Sequence, residues 1–155
     1  MNDYTIPFRE TEENVLECIL SRIPISEKDA FLDIGCGNGI VLERVAKTYP
    51  NVPCIGIEID GCMVTNAQHR LQSYSNVHIY QKDLRTTAWS EILPQAEYIY
   101  CFLAWTKTYL REFDFTRFPP NTVLIVFKHE IPSRTYSEKI CFPEYAYNNV
   151  YIYRP

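Results

Sequence analysis

Between Phe31 and Gly39 the chain reads FLDIGCGNG, an apolar run closed by an acid and followed by glycine at every second position. Gly35, Gly37 and Gly39 are three of only five glycines in 155 residues. A backbone that leaves a strand and enters a helix within a few residues needs torsion angles that side chains resist. A ligand lying flat on that turn also needs the side chains absent. The first N–H groups of the following helix, with the positive end of its dipole, seat a carboxylate or a phosphate. A dinucleotide fingerprint, GxGxxG, would need glycine at position 40; Ile40 stands there, and the third glycine comes one place early. The phosphate loop with its terminal lysine is also missing. An acid just before the turn repels a pyrophosphate and attracts an α-amino group. Asp33 therefore points to a zwitterionic ligand.

The elements that must hold this turn follow from periodicity. In TEENVLECILSRI (11–23), Val15, Leu16, Ile19, Leu20 and Ile23 form one helical stripe, with Thr11 suited to the N-cap. AFLDI (30–34) reads as a strand, and Val41, Leu42, Val45, Ala46 and Tyr49 recur at helical spacing until Pro50 stops them. The alternation repeats with a strand at 52–59 (VPCIGIEI), a helix carrying Met63, Val64, Ala67 and Leu71, and a strand at 76–81 (NVHIYQ). Runs at 96–103 (AEYIYCFL) and 121–127 (NTVLIVF) are continuously apolar, as expected when both faces of a parallel sheet are covered. EKICF (138–142) and NVYIYR (149–154) suggest an antiparallel hairpin at one edge. The pattern predicts an α/β fold: a doubly wound seven-stranded sheet, mostly parallel, in a single domain over 1–155. Such sheets bind ligands beyond the carboxyl ends of their strands, where the glycine turn lies. Pro119-Pro120 reads as a turn into a strand, not a domain boundary.

Composition narrows the partners. The net charge of −4 and pI near 5.4 leave no basic footprint for gripping long nucleic acid. Six cysteines are scattered singly with no CxxC pair, and His69, His78 and His129 lie far apart, so no metal site is expected. The cysteines read as free thiols of a reducing compartment. No basic stretch followed by an apolar one opens the chain, and no run approaches the roughly 20 apolar residues that cross a bilayer. A cytoplasmic protein is the expectation.

DIGCGNG resembles the first motif of the class I, seven-strand methyltransferases that use S-adenosylmethionine, and the similarity runs over nearly the whole chain. The resemblance implies a Rossmann-like fold and that cofactor. In that family an acid ending the second strand holds both ribose hydroxyls, and Glu58 matches it, with Asp60 as the fallback. An acid after the third strand reaches the adenine amino group; Asp83 occupies that place, with Leu84 as apolar neighbour. The implied cofactor contacts are Asp33, Gly35, Cys36, Gly37, Gly39, Glu58, Ile59, Asp83, Leu84 and Phe102. Each acid also has a plain structural reading: Asp33 as a helix cap, Glu58 and Asp60 as solvated loop charges, Asp83 as a turn former. Their joint occurrence at the ends of three consecutive strands favours the cofactor.

Methyl transfer from a sulfonium is an in-line displacement on an activated carbon, so alignment and an unprotonated nucleophile suffice and no dedicated base is required. The acceptor is expected at the end of the fourth strand, in YIYCFLAWTKTY (98–109). Nucleic-acid amino methyltransferases usually carry Asn/Asp-Pro-Pro-aromatic there; this chain has Phe102-Leu103-Ala104-Trp105. The closer likeness is to small protein-lysine methyltransferases, the archaeal broad-specificity enzymes and the mitochondrial enzymes acting on the ATP synthase c subunit and the adenine nucleotide translocase. It rests on YTIPFRETEENV, on KDL before a strand ending in Phe-Leu, and on FPPNTVLIVFKHEIP. The resemblance makes residues 1–28 a segment and helix covering the cofactor, with a departure at Arg9-Glu10, where those enzymes often have Thr-Pro. A lysine acceptor is implied: at pH 7 only roughly one free amine in a few thousand is neutral, and an aromatic channel lined by Phe102 and Trp105 would disfavour the charged form. A small-molecule or RNA acceptor, or a noncatalytic cofactor-binding partner subunit, are the alternatives. His129 and Glu130 follow the fifth strand with open roles.

Overall fold

The computed structural model describes residues 11–84, 86, 98–101, 116, 118, 120–132, 134–142 and 149–155. Helix α1 (Glu13–Arg22) precedes β1 (Phe31–Ile34), α2 (Ile40–Thr48), β2 (Cys54–Glu58), α3 (Gly61–Leu71) and β3 (Val77–Gln81). The described chain continues with β4 (Tyr98–Cys101), β5 (Val123–Phe127), β6 (Glu138–Cys141) and β7 (Asn149–Tyr153). These strands form one sheet in the order β3-β2-β1-β4-β5-β7-β6. β1 to β5 pair in parallel, and β7 runs antiparallel between β5 and β6. The strand order turns outward in opposite directions from β1 and β4, which makes the carboxyl end of β1 the switch point where sheets of this kind bind ligands.

Alternation along the strands assigns the faces. Phe31 and Cys54, which are register partners, pack on one side with Val15 and Ile19 of α1 and Leu42 and Val45 of α2. Leu32, Ile34 and Ile57 pack on the other with Leu124, Val126, Tyr151 and Tyr153. Because successive side chains point to opposite faces, Asp33 and Glu58 share the α1/α2 side with Phe31 and Cys54. Burial on both faces explains the unbroken apolar runs of β1 and β5. β3 alternates instead, with His78 and Tyr80 exposed, as befits an edge strand.

Gly56 lies between these layers, opposite Asp33 in register. A Cβ built there would stand 2.6 Å from Leu42, 2.7 Å from Ile79 and 2.8 Å from Cys36. Only glycine lets α2 and the turn before it lie this close to the sheet. At α1 the N-cap is Glu12 rather than Thr11: the helix begins one residue later than the stripe suggested, and Thr11 is buried. Glu138 of β6 accepts from Arg22 at 2.5 Å and from both terminal nitrogens of Arg154 at 3.2 and 3.1 Å, joining α1 to the edge hairpin. Among the described residues no helix is long and apolar enough to cross a membrane, and no His, Cys, Asp and Glu cluster to hold a metal ion.

Candidate functional site

The turn after β1 is tied down from one side. The N–H groups of Gly35 and Cys36 both donate to the Ile57 carbonyl, at 2.8 and 3.0 Å, so the loop hangs from β2 as it leaves β1. Gly35, Gly37 and Gly39 have φ of 76°, 52° and 82°, the left-handed region that side chains resist. Gly39 also meets α3: an added Cβ would lie 2.7 Å from Leu71 Cδ1 and 3.2 Å from Ala67 Cβ. That contact and its φ of 82° together require glycine at position 39. Gly39 is the N-cap of α2 and brings no side chain to its first N–H groups, although Asn38 Oδ1 accepts from Ile40 N–H at 3.4 Å.

Three acids behave differently. Asp33 is 2% exposed; burial, and then the charge of Glu58, push its pKa well above the ordinary carboxylate range. Glu58 reaches back into the turn. Its Oε2 accepts the Gly37 N–H at 2.9 Å, and its Oε1 accepts the N–H groups of Ile59 and Asp60 at 2.8 and 3.0 Å. Asp60 caps α3, its Oδ1 accepting from Cys62 N–H at 2.8 Å and Met63 N–H at 3.2 Å. The fallback acid is thus engaged as a helix cap, and Glu58 is the acid that touches the glycine turn.

The remaining candidates line the rim. Ile59 is an exposed apolar side chain directly after Glu58. Lys82 N–H donates to the Glu58 carbonyl at 3.0 Å, drawing the segment after β3 toward the site. Asp83, half-buried, follows, and Leu84 packs against the second core. Thr86 closes the turn, its N–H donating to the Asp83 carbonyl at 3.2 Å. Cys36 is buried under the loop, and burial, then the charges of Asp33 and Glu58, push its thiol far up, so it is no nucleophile. Phe102 and Trp105, together with residues 1–10, lie outside the described residues. Periodicity gave no hint of Gln81, the register partner of Glu58, which donates to the Ile59 carbonyl at 3.2 Å and braces the rim.

This arrangement presents a bare backbone cradle between a buried acid that suits an ammonium group and a carboxylate at the end of the next strand. The chemistry of the donor set fits S-adenosylmethionine, which carries an ammonium group and sugar hydroxyls on a chain that can lie along a turn without Cβ atoms.

Comparisons with known proteins agree. Residues 31–117 match a family model described as a methyltransferase domain. The chain is 36% identical over 73 residues to a probable cobalt-precorrin-6B C(15)-methyltransferase (decarboxylating) of Archaeoglobus fulgidus, covering 47% of this chain and 42% of that protein. It is 28% identical over 102 residues to ribosomal RNA small subunit methyltransferase A of Dehalococcoides mccartyi, covering 61% of this chain and 34% of that protein. The chain thus spans less than half the length of either relative. A crystal structure of an RNA methyltransferase from Salinibacter ruber with S-adenosyl-L-homocysteine superposes with a TM-score of 0.76, at 21% identity, over 94% of this chain and 93% of that one. The likeness of that structure is one of fold. With more than half of its residues under the family model and its glycine turn at the sheet's switch point, the chain belongs to the methyltransferase domain family.

Proposed function

We propose that this chain is an S-adenosylmethionine-dependent methyltransferase that acts on a small-molecule or RNA acceptor. The observation that carries the reading is the glycine turn held between Asp33 and Glu58, with Glu58 bonded to the turn itself. When bound, the cofactor supplies a methyl group already activated on a sulfonium. The chain's task is then to orient it: the turn admits the ligand because no Cβ stands in the way, Asp33 attracts the α-ammonium, and Glu58 receives the ribose. Asp83 and Leu84 are proposed to flank the adenine. Phe102 and Trp105 remain proposed acceptor-side residues on the strength of their place after β4 alone.

For the acceptor, the named relatives favour the alternatives over the lysine expectation, since their descriptions concern a cobalt-precorrin and ribosomal RNA. The charge of −4 disfavours grip on a long RNA by bulk attraction and so leans toward a small molecule or a short RNA element. The test is to incubate the chain with labelled S-adenosylmethionine and a cell extract. Label that survives both protease and nuclease supports a small molecule; nuclease-sensitive label supports RNA. Protease-sensitive label would restore the lysine reading. Calorimetry separates a noncatalytic partner: tight S-adenosylhomocysteine binding without transfer to any fraction would mark one. Displacement of that product by NAD at similar concentrations would overturn the reading of the turn.

A further inference from the structure

We infer that Lys128 is a specificity residue that holds an anionic group of the methyl acceptor, a carboxylate of a small molecule or a phosphate of an RNA. The inference rests on the cofactor reading above and names the chemistry of the acceptor. Lys128 follows β5 directly, at the same end of the sheet as the glycine turn. Its φ is 72°, and among the described residues it is the one non-glycine residue in the left-handed region. A Cβ resists that region, and glycine or asparagine would hold the same turn with less strain. Strain of this kind collects at ligand sites when the surrounding structure enforces it. Here the Lys128 N–H donates to the Asn149 carbonyl at 2.7 Å. Further along, the Ile131 N–H donates to the Tyr153 hydroxyl at 2.7 Å, and the Ile131 side chain is buried in the second core.

The torsion re-aims the side chain. Alternation along β5 puts Leu124 and Val126 on one face and Ile125 and Phe127 on the α1 side, so Lys128 would next fall on the face away from α1. Instead its Nζ stands 5.5 Å from the centroid of the fully buried Phe127 ring, within the range at which an aromatic ring attracts a cation. Asp33 of β1 lies on that same side, with β4 between the two strands. Two strand spacings are about 10 Å, the span of a small acceptor seated over β4 with its reacting atom toward the turn. Charge divides along this span. Asp33, Glu58, Asp60 and Asp83 stand at the ends of β1 to β3 with Lys82 among them, and Lys128 puts an ammonium group at the end of β5. Glu130 nearby is exposed, where solvent and salt screen its charge. The acidic side suits the cofactor's ammonium group, and the cationic side suits an acceptor that carries its negative charge away from the reacting atom.

The experiment titrates the full chain, saturated with S-adenosylhomocysteine, with citrate and separately with inorganic pyrophosphate. Ionic strength is held fixed, and heteronuclear NMR follows the Lys128 and His129 amides. At least one anion should shift both amides saturably in wild type and in Lys128→Arg. It should bind about tenfold or more weakly to Lys128→Asn, which loses the charge but tolerates the left-handed backbone. Citrate as the tighter anion assigns a carboxylate acceptor, and pyrophosphate assigns an RNA phosphate. Lys128→Asn should melt no lower than wild type and bind S-adenosylhomocysteine within about twofold, which separates the loss from folding and from the cofactor. At saturation the same anion should slow transfer from labelled S-adenosylmethionine to the cell extract in wild type. Equal affinity of wild type and Lys128→Asn for both anions, or transfer insensitive to a saturating anion, overturns the inference. A matching loss of S-adenosylhomocysteine affinity in Lys128→Asn also overturns it, by moving the residue to the cofactor. Failure of wild type to bind S-adenosylhomocysteine at all would fall on the cofactor reading, whereas the same titrations of the ligand-free chain still test Lys128.

Discussion

Asparagine at position 33 separates the two consequences of a buried acid. Asp33 is 2% exposed at the end of β1, and burial, followed by the charge of Glu58, raises its pKa well above the usual range. The folded chain therefore holds this proton more tightly than the unfolded chain. The linked stability is complete below the unfolded pKa of about 4 and is lost as pH rises through the folded-state value. Within that window wild type should lose up to about 1.4 kcal/mol per pH unit relative to Asp33→Asn, whose amide does not titrate. In a chain of this size about 1 kcal/mol moves the melting midpoint by roughly 2–4 °C. The midpoints of the two proteins should thus diverge by roughly 3–6 °C for each unit above pH 5 until the folded-state value is passed. Thermal unfolding followed by circular dichroism from pH 5 to 8, at constant ionic strength, measures the divergence. A gap that stays constant over this range refutes the desolvated acid. Asparagine cannot give up a proton and become an anion opposite an incoming ammonium group, so S-adenosylhomocysteine binding should weaken by about tenfold or more even as stability rises.

Four further outcomes follow from the geometry. Gly39→Ala should cost about 1–3 kcal/mol in urea unfolding, because φ is 82° and the new methyl would stand 2.7 Å from Leu71. Gly61→Ala should stay within about 0.5 kcal/mol of wild type, its nearest neighbour being the flexible end of Gln81 at 3.1 Å. Asp60→Ala should destabilise the fold by about 1 kcal/mol through the lost cap of α3 while leaving S-adenosylhomocysteine affinity within about twofold; a tenfold loss would make Asp60 a ribose ligand after all. Native-state alkylation at pH 8, followed by mass spectrometry, should modify the exposed Cys62 and Cys141 and spare Cys36 and Cys54 until the chain unfolds. Burial pushes the Cys54 thiol up to about 12, so fast native labelling there would contradict the packing.

Strand and helix alternation was readable because burial on both faces writes apolar runs and one-sided stripes into neighbouring residues, as at β5 and α2. The glycine turn was readable for the same local reason: torsion at Gly35, Gly37 and Gly39 is a property of each residue and its neighbours. Only the tertiary structure decided which acid serves the turn. Glu58 and Asp60 are two residues apart and chemically interchangeable in a sequence. Yet one carboxylate bonds a loop amide 21 residues away, and the other caps the helix that begins beside it. Gly56 carries no local signal either, since it is required by Leu42, Cys36 and Ile79, which converge on it from separate elements. Position along the chain determines periodicity, torsion and charge, whereas the partner of each polar group depends on which strands lie side by side, and that order is set by packing across the whole sheet.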